Sequence, residues 1–308
     1  MGTGQDKEVS GIPDGGPEKR GCGTLYVVST PIGNLEDITL RALRILKGVN
    51  IIAAENVKHT RGLCAHYGIK TRVTAYNQHN RKARTPELIR RLQSGQDLAL
   101  VTDAGTPGIS DPGVYLVSRA AAEGVDVRAV PGPAAVTAAL SVSGFPTERF
   151  LFLGFLPNRP GKRKKALEEL CSEPRTTVFY EAPHRVKATL SDVMEVLGDR
   201  DMVLVREMTK VFEEIQRGPV SRILKGLTQD RIRGEFTLVL AGADQKGAES
   251  LGQEALERME RLLKENEMTV GDIARSLSRE EGLPYRRIYR VCLDRKRDLQ
   301  RLNGDGVG

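Results

Sequence analysis

The chain has few cysteines, few histidines and no long apolar run. Its four cysteines, Cys22, Cys64, Cys171 and Cys292, form no Cys-x-x-Cys pair and share no metal-like spacing with the four histidines. A disulfide framework and a zinc site are therefore not expected, and a reducing cytoplasm is the simplest home. No stretch approaches the roughly 18 apolar residues that cross a bilayer. The first twenty residues carry no signal-peptide core, so neither export nor a membrane partner is expected. Two phosphate-binding signatures are also missing. No Gly-x-Gly-x-x-Gly follows the first strand pattern and no Gly-Lys-Ser/Thr occurs, which argues against an ordinary dinucleotide enzyme or a P-loop NTPase.

What is present is length and positive charge. At 308 residues the chain has room for two or three domains of about 100–200 residues each. A formal net charge of +7 makes a polyanion such as nucleic acid a natural partner. Residues 1–21 lack hydrophobic periodicity and read as a disordered leader. From Leu25 to Ser141 strand and helix patterns alternate, which predicts a mostly parallel sheet covered by helices on both faces over residues 22–146. Asn34 is the expected N-cap of the first helix, and Thr85 with Pro86 the expected start of the third.

A second α/β domain is expected over 147–243. Strand patterns at 202–206 and 212–216 follow one another without a helix, which predicts antiparallel pairing in a mixed sheet. Residues 244–308 read as a helical extension, broken at Gly282-Leu-Pro284, with a basic last helix that includes Arg286, Arg287 and Arg290.

The most elaborate connection runs from Val101 to Pro112, Val-Thr-Asp-Ala-Gly-Thr-Pro-Gly-Ile-Ser-Asp-Pro. A buried-type strand ends there in a polar, glycine-rich turn, where an open α/β sheet holds its ligand. Gly105 and Gly108 permit close backbone approach, and Asp103, Thr106 and Ser110 supply polar groups at its mouth.

Taken together, Thr30-Pro-Ile-Gly-Asn34, Ala54-Glu55, the Asp103–Pro112 turn, Val130-Pro-Gly-Pro133, Phe179-Tyr-Glu-Ala-Pro-His-Arg185, Arg206-Glu-Met-Thr-Lys210 and Gly234-Glu-Phe-Thr237 resemble the tetrapyrrole methylase superfamily. They are most similar to its ribosomal RNA branch, which methylates the ribose 2′-hydroxyl of a cytidine in 16S RNA of the 30S subunit. The resemblance implies a two-domain α/β enzyme, homodimeric, with S-adenosylmethionine bound in the cleft between domains. It implies a cofactor site from Pro31, Gly33, Asp103, Ala104, Gly105, Thr106, Ile109, Ser110, Ala134, Ala135, Thr137, Tyr180 and Glu181. Where the branch usually reads Ala-Glu-Asp-Thr-Arg-His-Thr, this chain has Asn56, Val57 and Lys58, leaving open whether an acid serves there.

Methyl transfer needs an in-line approach to the methyl carbon, so positioning supplies much of the rate. A ribose hydroxyl also gains from a base, or from a cation beside the developing alkoxide. Candidates for that work are Glu55, His59, Glu181, Arg185, Glu207, Lys210 and Glu213. Basic residues expected to meet RNA phosphate are Lys58, Arg61, Arg81, Arg84, Lys162, Arg163, Arg286, Arg287 and Arg290. Two other readings stay open. One is a non-catalytic RNA-binding or ribosome-assembly protein retaining the cleft, and the other a methylase of a small tetrapyrrole or of a protein.

Overall fold

A computed structural model describes residues 21–228, 232–243, 251–265, 267–281 and 285–304. Residues 1–20 of the expected leader (1–21) and the Gly282–Pro284 break lie outside the described residues. The chain divides into two compact units, one holding Ile38–Gly132 with the residues up to Thr30, the other Pro31–Asp37 with Pro133 onward.

The first unit is a five-stranded parallel sheet in the order β3-β2-β4-β1-β5. Its strands are β1 (Thr24–Val28), β2 (Ile51–Ala54), β3 (Arg72–Ala75), β4 (Leu98–Val101) and β5 (Asp126–Val130). Central strands covered on both faces must be apolar on both, and every residue of β2 and β4 is buried. Successive side chains take opposite faces. Ile52, Ala99 and Val101 pack with α1 (Leu40–Gly48) and α2 (Val57–His66), whereas Ile51, Leu98 and Leu100 pack with α3 (Arg81–Gln93) and α4 (Val114–Ala122). From β1 the chain crosses to β2, and from β4 it crosses the other way to β5. The order thus reverses between β1 and β4, where such sheets open a ligand crevice at the strands' carboxyl ends.

Two helix starts differ from expectation. Asn34 accepts a hydrogen bond from the Glu36 amide (3.0 Å) in a short helical turn at Leu35–Asp37, and α1 starts later, capped by Thr39 through the Ala42 amide (3.0 Å). Helix α3 begins at Arg81, with Pro86 in its second turn. The local bonds of Asn77 and Asn80 organise that start, and Thr85 is buried against the Tyr76 hydroxyl (3.1 Å).

The second unit carries a mixed sheet in the order β6-β7-β10-β8-β9. Strands β6 (Phe150–Phe155) and β7 (Thr176–Glu181) are parallel. β8 (Asp201–Arg206), β9 (Glu214–Pro219) and β10 (Phe236–Leu240) join through antiparallel pairs. Helices α6 (Pro160–Glu168), α7 (Pro183–Leu197) and α8 (Val220–Gly226) cover one face, with Val186, Leu190, Val193 and Leu197 of α7 in the core. Helix α5 (Ala135–Ser143) packs on the other face through Val136, Ala139 and Leu140 against Val178, Val203, Val205 and Val239. The strand expected from Phe212 starts at Glu214 instead, so Val211 and Phe212 sit in the preceding turn. Three helices, α9 (Gln253–Glu265), α10 (Val270–Glu281) and α11 (Tyr285–Gly304), share a separate core around Met259, Ile273 and Cys292. No helix among the described residues is long and apolar enough to cross a membrane.

Candidate functional site

In the first unit the ends of β1 and β4 are tied together. Thr30 and Gly105 exchange two backbone hydrogen bonds (2.9 and 3.0 Å), Thr30 Oγ1 donates to the Thr102 carbonyl (3.1 Å), and Ser29 and Thr106 hydroxyls meet at 2.8 Å. The turn beyond is conformationally unusual. Gly105 (φ 78°) and Gly108 (φ 86°) occupy the left-handed region, and so does Ser110 (φ 65°), where a side chain costs roughly 1–3 kcal/mol.

Asp103 lies at the base of this turn. It accepts hydrogen bonds from the backbone and side-chain amides of Asn56, while its Oδ1 is buried with no partner among the described residues. Burial pushes its carboxyl above the usual range. The neighbouring Glu55 adds to that, and His59 and the Asn56 bonds oppose it. Glu55 accepts the Thr102 hydroxyl (2.6 Å). Asn56 has a second task, since its Oδ1 caps α2 through the Lys58 and His59 amides (3.1 and 3.3 Å). An amide side chain both accepts at the cap and donates to Asp103, which an ionised carboxylate cannot do. Ala104 and Thr106 are half-buried, whereas Ile109 and Ser110 are exposed on the turn's outer side.

A buried carboxylate held above its ordinary pKa disfavours the ionised fold at neutral pH. Asp103→Asn should therefore raise the unfolding temperature modestly at pH 7. That gain should fade as pH falls through the raised Asp103 pKa, where the native carboxyl is protonated and the penalty disappears. Thermal melts across pH 4–8 measure this, and a gain that grows toward acid would contradict it.

In the second unit the candidates form two groups. Glu181 is buried and fully engaged. It accepts from the Thr189 hydroxyl (2.5 Å) and the Ala182 amide (2.8 Å) and pairs with Arg185 (3.1 Å), which also donates to the Leu156 carbonyl (2.6 Å). These two residues brace the start of α7 internally, and the ring of Tyr180 packs edge-on to Phe152 and Phe155. Ala134 stands at the N-cap of α5 and its carbonyl accepts the Thr137 hydroxyl (3.0 Å), with Ala135 opening the helix.

The other group is the turn between β8 and β9. Lys210 binds Glu207 (2.9 Å) and Glu235 (3.2 Å), and the Glu235 amide donates to Glu207 (3.1 Å). Burial alone raises the Glu207 pKa, but the bonds from Lys210 and Glu235 outweigh it and hold the carboxyl below its ordinary value. Glu213 accepts the Thr209 amide (2.6 Å). Pro31 is buried, and Gly33 serves close approach, since a Cβ there would lie 2.8 Å from the Met208 carbonyl.

Among the basic residues, Lys58, Arg61 and Lys162 are exposed and Arg81 is half-buried at the start of α3. Arg84 is bonded to Glu87 (2.7 Å) and to the Thr74 hydroxyl. Arg163 is a correction. It is 3% exposed and paired with Asp192 at 2.6 Å, so it belongs to the core and not to an RNA-facing surface. The side chains of Arg286, Arg287 and Arg290 lie outside the described residues. Thr102, Ser29 and Thr209, which hold these loops together, escape sequence reasoning because single hydroxyls at strand ends carry no spacing signal.

Residues 24–224 match the tetrapyrrole (corrin/porphyrin) methylase profile. Over 277 residues the chain is 43% identical to ribosomal RNA small subunit methyltransferase I of Synechocystis sp., covering 90% of this chain and 99% of that protein. The protein of that name from Pseudomonas aeruginosa is 46% identical over 248 residues, covering 79% and 88% respectively. Among solved structures, a cobalt precorrin-4 methyltransferase superposes with TM-score 0.56 at 18% identity, covering 71% of this chain and 94% of that one. A Thermus thermophilus uroporphyrin-III C-methyltransferase complexed with S-adenosylhomocysteine gives 0.51 at 19% identity, covering 71% and 97%.

Proposed function

The chain belongs to the tetrapyrrole (corrin/porphyrin) methylase family and is an S-adenosylmethionine-dependent methyltransferase; we propose that its substrate is small-subunit ribosomal RNA, methylated on the ribose 2′-hydroxyl of a cytidine in 16S RNA. The observation that carries the cofactor reading is the orphaned Asp103 Oδ1 at the base of a glycine turn. S-adenosylmethionine offers the hydroxyl and ammonium donors such an acceptor needs, and the positive-φ glycines leave backbone open to a ligand. The residues present therefore fit it. Bound there, the cofactor supplies an activated methyl group.

The protein's part is positioning. Thr102 fixes the Glu55 carboxylate, and Asn56 fixes Asp103 and the start of α2 with the exposed His59 beside it. Glu55 and His59 are the proposed proton acceptors for the 2′-hydroxyl. Lys58, Arg61, Arg81 and Lys162 are proposed to hold RNA phosphate. We place the enzyme in the cytoplasm, as a homodimer, acting on assembled 30S subunits.

The test is tritium transfer from labelled S-adenosylmethionine to 30S subunits and to free 16S RNA, with the label traced to a ribose. Asn56→Asp keeps the α2 cap but gives up the side-chain bond to Asp103, and its single-turnover rate is expected within tenfold of the natural chain. A gain of a hundredfold or more, about 2.7 kcal/mol of barrier, would show that the chain lacks a catalytic acid and favour the RNA-binding alternative. Glu55→Gln should lower the rate.

A further inference from the structure

The turn that joins β8 to β9 holds two large apolar side chains in water. Val211 is 93% exposed and Phe212 74%. The turn is not loose. Glu207 (φ 50°) and Thr209 (φ 65°) are non-glycine residues in the left-handed region, which persists only where the surroundings over-determine it. Those surroundings are explicit. Backbone bonds run from the Lys210 amide to Glu207 and from the Glu213 amide to Lys210 (both 3.0 Å), and the Glu213 carboxylate accepts the Thr209 amide. On the inner side Met208 packs against the apolar cluster of α5, and the Asn34 amide donates to the Thr209 hydroxyl (3.0 Å).

Every charged group beside the tip is engaged within the turn or its neighbour. Lys210 is held by Glu207 and Glu235, and Glu213 by Thr209. What projects is an aromatic ring on a rigid mount. A protein partner needs an interface of about 1,000 Å² or more, and two apolar side chains hemmed in by Lys210 and Glu213 do not supply it. An unpaired nucleobase needs one aromatic face, and stacking of that kind tolerates any base. The turn also rests on Gly33 and Asn34.

We propose that Phe212 is a stacking platform for an unpaired base of the RNA substrate. The proposal rests on the ribosomal RNA reading above. It adds a residue that grips substrate and takes no part in the transfer.

The chain contains no tryptophan, so Phe212→Trp introduces a single indole whose emission reports stacking without turnover. A single-stranded oligoribonucleotide should quench it, and an abasic ribose-phosphate oligomer of equal length should not. In methylation of 30S subunits, Phe212→Ala and Phe212→Leu should lower kcat/KM at least tenfold, about 1.4 kcal/mol, mainly through KM. Phe212→Tyr should stay near the natural value, and S-adenosylmethionine affinity should be unchanged throughout. Equal quenching by the abasic oligomer overturns the proposal, as does natural kcat/KM in Phe212→Ala. Loss of a dimer in Phe212→Ala by light scattering would assign the tip to a second copy of the chain instead. If the natural chain transfers no methyl to 30S subunits, the RNA substrate reading fails, while the quenching pair still decides whether the ring stacks bases.

Discussion

Gly105→Val is expected to weaken S-adenosylmethionine binding a hundredfold or more, measured by calorimetry. Gly105 is buried with φ 78° and gives both its backbone groups to Thr30. A β-branched residue does not settle in that region, so the backbone must rotate and the paired bonds to Thr30 must break. Re-forming the native turn around a ligand then costs that strain, roughly 1–3 kcal/mol, whose upper end reaches a hundredfold, about 2.7 kcal/mol. Gly108→Ala is the milder control. A Cβ there meets only Val114, its side chain at 3.6 Å and its backbone nitrogen at 3.9 Å, both ordinary contacts, so strain alone acts. Natural affinity in a folded Gly105→Val protein would show that the cofactor is held elsewhere.

The parallel sheet was legible because burial on both faces forces near-continuous apolar runs, as in Ile51–Ala54 and Leu98–Val101. The face of α7 was legible from its spacing, and the ligand turn from glycines clustered after a strand. What escaped depends on partners distant in sequence. Asn34 and Thr85 satisfy local rules for helix starts, yet Thr39 and the Asn77–Asn80 bonds supply the actual ones. Periodicity gives α5 an apolar face without saying which sheet that face meets. The double task of Asn56 appears only once Asp103 is brought beside it. Phe212 looked like strand because aromatic residues favour strands, whereas the bonds of Glu207–Glu213 turn the chain there and leave the ring in water.

The run Lys162-Arg163-Lys164-Lys165 should separate into two kinds of residue under mutation. Arg163 is buried, donates through Nε (2.7 Å) and a terminal nitrogen (2.6 Å) to Asp192 on α7, and reaches the Asn158 carbonyl at 3.4 Å. Removing Asp192 strands a buried charge and typically costs about 3–5 kcal/mol; removing Arg163 leaves Asp192 only its longer pairing with Lys164 (3.6 Å). Arg163→Ala and Asp192→Ala are each expected to lower the unfolding temperature, on the order of 10 °C at about 2–4 °C per kcal/mol. Arg163→Lys should recover little, since an ammonium lacks the planar fork. Replacing both partners, Arg163→Met with Asp192→Leu, should recover much of the loss, because no unpaired charge is then left in the core. Lys162 is exposed at the start of α6. Lys162→Ala should leave the melting temperature unchanged and weaken RNA binding, lowering the log-log salt slope by roughly 0.7–0.9 if one phosphate contact is lost. A melt of Arg163→Ala indistinguishable from the natural chain, with RNA affinity reduced instead, would return Arg163 to the RNA-facing surface and remove it from the core.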